Sequence, residues 1–157
     1  MADLFPVAGC KIYIGGVLAS KATDFIESDF SGESWVEIDG WSQMGGIGDA
    51  AQLITTALIN RDRDLKQKGT RNAGSMENVF AILPTDAGQI ALRAAETTKN
   101  NYAIRIDLND ASGGAPSKRY FIGLVMNARE VGGEANVIQN LNATIEINSN
   151  IVRVAAT

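Results

Sequence analysis

The chain has 157 residues, 45% hydrophobic and 20% charged, which suits one soluble globular domain spanning residues 1–157. It has no histidine and one cysteine, Cys10. That excludes imidazole acid–base chemistry, Ser-His and Cys-His pairs, an intrachain disulfide and zinc held by Cys or His. Fourteen basic against eighteen acidic residues leave a net charge of −4, the wrong sign for a protein that grips phosphates.

In chain order, residues 1–10 carry Leu4, Phe5 and Val7 ahead of the first patterned segment and read as an arm. They lack the basic start and apolar core of a secretion signal. No apolar run approaches the roughly 18–20 residues of a membrane helix, so no membrane insertion is expected. Strand-like β-branched and aromatic content marks Lys11–Val17, Trp35–Ile38, Leu53–Ile59 and Met76–Leu83. Two long connections lie between them: 39–52, with four glycines around Trp41, and the densely charged 60–75. Connections of that length in a compact domain tend to be functional or disordered.

One helix follows. Asp86 is its N-cap and Gln89 stands three residues on, a variant of the capping box. Ala87, Ile90, Ala91, Ala94 and Ala95 fall on one face at helical spacing, with Gln89, Arg93, Glu96 and Thr97 opposite. Alanine lets this face approach a sheet closely. Strict alternation then predicts half-buried strands at 102–108 and 141–148. Tyr120–Met126 is apolar on both sides and predicts a strand covered on both faces, with the helix as one cover. Asn109–Lys118 reads as a surface loop, and 149–157 as a C-terminal tail. The order predicts a mainly β fold, an antiparallel sandwich or barrel with one flanking α-helix.

Motifs that carry chemistry are sparse. No nucleophile elbow, Ser-x-x-Lys pair or phosphate loop occurs. Gly45-Gly46-Ile47-Gly48 matches a four-residue RNA-binding pattern that is common by chance and has no basic residue beside it. A calcium loop starting at Asp107 puts Ser112 where glycine belongs and Lys118 where the bidentate glutamate belongs. No catalytic residue, cofactor or metal is expected.

Charge segregation stands out instead. Residues 21–50 set seven carboxylates, Asp49 among them, against Lys21 alone, a net of −6. Residues 60–72 set Arg61, Arg63, Lys66, Lys68 and Arg71 against Asp62 and Asp64, a net of +3. One reading is two solvated loops. The other is a unit that stacks head to tail on copies of itself, building rings or filaments. Trp41 is either the apolar anchor of that contact or a plug in its own core.

Four segments carry a family resemblance over roughly residues 12–148. They are Trp35-Val36-Glu37-Ile38 with Ile47-Gly48-Asp49, Lys68-Gly69-Thr70-Arg71 with Ala73-Gly74-Ser75-Met76, the Asp86–Ala95 helix, and the closing Ile145-Glu146-Ile147-Asn148. Together they resemble the major tail tube proteins of long-tailed bacteriophages with flexible, non-contractile tails. The resemblance implies hexameric rings stacked into a hollow tube, its inner wall a β-barrel shared by the subunits. It further implies a tape-measure protein, a tail terminator and tail-tip or baseplate proteins as partners, and DNA passing without specific binding. Location would be the virion tail, after synthesis in the host bacterial cytoplasm. Candidate contacts between copies are Leu4, Phe5, Trp41, Asp49, Arg61, Arg63, Lys66, Lys68 and Arg71, with the 151–157 tail. A tube or ring of a secretion or contractile injection system, and a stand-alone β-sandwich binding module, are the alternatives.

Overall fold

A computed structural model describes residues 4–111 and 113–157; residues 1–3 of the predicted arm, and Ser112, lie outside the described residues. Ten strands and one helix follow in chain order: β1 (Lys11–Val17), β2 (Val36–Glu37), β3 (Trp41–Gln43), β4 (Ala50–Thr56), β5 (Leu65–Asn72), β6 (Ser75–Ala81), α1 (Ala87–Glu96), β7 (Tyr102–Asp107), β8 (Lys118–Val131), β9 (Asn140–Ile147) and β10 (Val152–Val154). The main sheet has eight antiparallel strands in the order β2-β1-β7-β8-β9-β6-β3, with β10 added beside β8. The fold is mainly β with one helix, and the sheet curls around its core.

Alternation explains which side of each strand faces inward. Ile12 and Ile14, Ile104 and Ile106, Phe121 and Val125, Leu141 to Ile147, and Met76 and Phe80 form one buried cluster. Leu92 and Ala95 of α1 close it. Strand β8 has 14 residues, against the seven predicted, and pairs in two halves. Lys118–Gly123 pairs with β7, while Gly123–Val131 pairs with β9. Gly123 faces both Tyr102 and Ile147, and a Cβ there would lie 2.5 Å from Ile145 Cγ2. Only glycine fits this corner.

The first half of β8 is covered on both faces, as its sequence predicts. Leu92 and Ala95 belong to the cluster beneath one face, and a segment lying mostly outside the predicted elements covers the other. There Phe25, Phe30 (in a 3-10 turn, Glu27–Phe30) and Trp35 pack on Tyr120 and Ile122. Phe30 stacks on Tyr120 at 5.2 Å, and Trp35 lies 5.9 Å from the same ring. Burial pushes the Tyr120 hydroxyl above its ordinary pKa. The 149–157 tail runs along the sheet: Ile151 is buried, β10 pairs Lys118–Tyr120, and the Thr157 amide donates to the Ala115 carbonyl.

Four expectations are corrected. Segment 39–52 is not one long loop, because Trp41–Gln43 is strand β3 and Ala50 already begins β4. Segment 60–75 is not one long loop, because Leu65–Asn72 is strand β5 and Ser75 already begins β6. Strand β4 starts at Ala50 and ends at Thr56, so the predicted 53–59 was displaced toward the turn. The helix is also rotated relative to its predicted face. Gly88, Gln89, Leu92 and Ala95 are buried, whereas Ile90 is 52% exposed. Asp86 caps as expected, accepting from the Gln89 amide at 3.0 Å.

The Gln89 side chain does not return to the cap. Its Nε2 donates to the carbonyls of Asp39 and Ala81, both at 2.8 Å, and its Oε1 accepts from the Leu83 amide. A fully buried amide thereby satisfies three backbone groups that strands leave open. A Cβ on Gly88 would sit 2.1 Å from the Glu37 carbonyl oxygen, so the helix rests directly on backbone. Gln89→Ala strands those three groups and is expected to cost about 2 kcal/mol. Ile90→Ala should cost no more than about 0.5 kcal/mol. Urea unfolding of both variants checks this; equal losses would restore the alanine face.

Candidate assembly surfaces

Strands β4 and β5 form a separate two-stranded sheet. The hairpin pairs Ala50 with Asn72 at its base and Thr56 with Leu65 at its far end, with a bulge between Ala51 and Leu53. Every residue of β4 is exposed, as is every residue of β5 except the half-buried Gly69. Each strand packs chiefly against the other. Directly paired residues share a face. Lys66 and Lys68 therefore project from one face beside Thr55 and Leu53, while Ile54 with Gln67 and Thr56 with Leu65 occupy the other. Leu53, Ile54, Leu58, Ile59 and Leu65 are all exposed, Ile59 completely.

The nine predicted contact residues fall into three groups. Arg61 and Arg63 lie in the turn of the hairpin, Lys66 and Lys68 on β5, and Arg71 at its base. Arg71 Nη2 lies 3.2 Å from Asp49 Oδ2, so this acid–base pair is closed within one chain. A cleft of about 370 Å³ opens beside it, lined by Asp24, Asn148 and Asn150 among others. Leu4 and Phe5 form the second group, on an arm with 98% and 57% of their surface exposed. The arm is held by a Cys10-to-Val7 backbone bond and by Asn109 Nδ2 donating to the Ala8 carbonyl.

Trp41 is the third, and it sits against its own core. Its ring stacks on Phe80 at 6.5 Å and 20°, and its Nε1 donates to Asn78 Oδ1 at 3.1 Å. The Gly45 amide donates to the same oxygen, which fixes the glycine-rich loop over β6. Of the two readings of Trp41, the plug describes this geometry.

Much of the acidic segment is used inside the subunit. Asp29 meets Lys21 at 2.6 Å and accepts from the Ile26 amide, and these bonds hold its carboxyl below the ordinary carboxylate range. Glu33 accepts from the Gly16 amide, and Glu37 lies 3.7 Å from Lys11. The basic hairpin is therefore the more available half of the segregated charge. Sequence reasoning missed β5, the second strand of the hairpin, because Lys66, Gln67, Lys68 and Gly69 interrupt any apolar alternation. Its only signal was a cluster of cations between two short apolar runs.

No protein-family model and no curated protein matches the chain. Solved structures do. The SPP1 tail tube superposes with a TM-score of 0.69 at 10% identity, over 96% of this chain and 80% of that one. A chain from the sheath/tube terminator of PVC, an extracellular contractile injection system, gives 0.69 at 12% identity over 98% and 99%. A chain from the baseplate of the anti-feeding prophage gives 0.67 at 12% identity over 99% and 98%. At such identities the likeness is one of fold: this chain has the fold of tail-tube proteins, shared by a tail tube and by contractile injection systems.

The arm's few contacts make a direct prediction. Deleting residues 1–8 should leave the subunit's unfolding free energy within about 0.5 kcal/mol of the full chain. Chemical denaturation measures it, and a loss of several kcal/mol would place the arm in the core.

Proposed function

We propose that this protein is a structural subunit, without catalysis, that assembles with copies of itself into stacked hexameric rings forming the hollow tube of a phage tail. The observation that carries the reading is the β4–β5 hairpin. A two-stranded hairpin alone is marginal in water, yet this one exposes five large apolar side chains and each of its strands packs chiefly on the other. A second copy supplies the missing surface. The match to tail-tube folds over nearly the whole chain supports that occupant.

In this reading Arg61, Arg63, Lys66 and Lys68 meet carboxylates of a neighbouring copy, and Leu4 and Phe5 add an apolar contact. Asp49–Arg71 anchors the hairpin at its root, and Trp41 holds the loop leading into it. Partners are the tape-measure protein that sets length, a terminator and tail-tip proteins, with genomic DNA passing through without specific binding. The subunit is made in the host cytoplasm and resides in the virion tail. A second reading, the tube of a contractile injection system, is favoured by the PVC and anti-feeding prophage matches, which equal the tail-tube match in quality. A sheath-binding assay on assembled tubes separates the two.

Reversing Arg61, Arg63 and Lys68 to glutamate together tests the hairpin. All three are exposed, so the subunit should keep its circular dichroism spectrum and melting temperature. Polymerisation, followed by sedimentation, should be abolished. Tubes of normal length from this variant would remove the basic hairpin from the contact.

A further inference from the structure

Strand β10 carries a cation between two valines. Val152 and Val154 pack on the cluster of Phe25, Phe30 and Tyr120, so alternation turns Arg153 to the other side of the sheet. The neighbouring strand β8 repeats this arrangement. Tyr120 faces that cluster, while Arg119 shares its side with Phe121 of the main core. Register sets Arg153 directly opposite Arg119, and Arg119 directly opposite the buried Ile106.

Two guanidinium side chains therefore leave adjacent strands on one face, their Cβ atoms about 5 Å apart. Like charges opposed in this way destabilise a sheet unless a counter-charge joins them. The subunit places none in contact with them: among the described residues neither arginine is in an ion pair. Asp110 is near enough to act on Arg119, but its carboxylate accepts from the Ser117 amide and hydroxyl. Lys118 and Asp107 oppose each other on the reverse face. Burial and the Arg153 charge lower the Arg119 pKa, and Asp110 offsets them in part.

The setting suits an anion. Arg119 is half-buried beside apolar Ile106, where a charge-assisted bond is stronger than in open water. Its Nη1 donates to the Lys118 carbonyl at 3.0 Å, one bond against the five donors of a guanidinium. Arg153 is exposed, and β10 pairs with β8 alone, so the pair is open on its outer side. Two planar forks side by side match a group that accepts several bonds at once.

We propose that Arg119 and Arg153 form an oxyanion-binding site, in which one phosphate or carboxylate group bridges the two guanidiniums. The site lies on the core sheet and stands apart from the tube reading. Its occupant comes from one of two sources, a free anion or an acidic side chain of another copy.

The test melts dilute full-length protein in increasing sodium phosphate, with sodium chloride holding ionic strength constant. General salting-out by phosphate acts on every variant alike. Wild type should show in addition a saturating rise in Tm. Arg153→Gln, at an exposed position of a short edge strand, should keep its circular dichroism spectrum and bind phosphate about tenfold more weakly. Lys99→Gln, an exposed cation elsewhere, should respond as wild type does. Arg153→Glu places a carboxylate opposite Arg119 within the chain. Its Tm without phosphate should exceed that of wild type, and its saturating response should vanish. No saturating rise in wild type, or the same rise in Arg153→Gln, overturns the site.

Sedimentation then identifies the source. If another copy supplies the group, Arg153→Gln should assemble less than wild type, and phosphate should bring wild type down to the same level. Equal assembly of the two proteins assigns the site to a free anion. Failure of every protein to assemble contradicts the tube reading and leaves the anion site to stand on the melting data.

Discussion

The fold depends on one strand having to serve two partners. β8 leaves β7 and joins β9 at Gly123, where a methyl group would collide with Ile145. That switch lets a single sheet curl around the Ile104–Phe121–Ile145 core and be closed at its end by α1. It also divides the outward face. Upstream of Gly123 the strand is sandwiched between two apolar clusters, so Tyr120 and Ile122 are buried along with Phe121. Downstream it carries Asn127, Arg129 and Glu130, and one face is left to solvent.

From this corner the rest of the subunit reads as stability in one place and assembly in another. The core elements are tied repeatedly: Gln89 to three backbone groups, Asn150 to both backbone groups of Phe25, and Asp110 to Ser117, whose hydroxyl also accepts from the Ala156 amide. The hairpin has none of this. Its ordering in a lone subunit is left to its own ladder and the Asp49–Arg71 pair. A half-exposed ion pair contributes little by itself. An element so weakly held and so apolar is suited to gain its order on contact with another copy, with the entropy cost met by the surface buried there.

How much of this was legible follows from what each residue had to do. Alternation located β7 and β9 within a residue because each has one buried face and one wetter face. Asp86 announced the helix because capping is a local interaction. The buried face of that helix was misread, since Gln89 is polar and is buried to bond backbone on β6 and the 39–40 turn, a long-range need. Strand β8 looked short because its run of residues apolar on both sides ends at Met126, beyond which Asn127, Arg129 and Glu130 are polar. The second cover, Phe25 to Trp35, has no period to detect. Strand β5 was hidden for a different reason: an element that packs chiefly on its one neighbouring strand has no inward face in its own chain to set an alternation. The segregated charge pointed to contact between copies, but much of the acidic half is bound within the subunit.

Negative-stain electron microscopy of the purified protein across a concentration series tests the central claim most directly. Hollow tubes or six-fold rings appearing as concentration rises are the predicted result. A monodisperse monomer at every concentration would contradict self-assembly through the exposed hairpin, and would leave a stand-alone β-sandwich binding module as the better account.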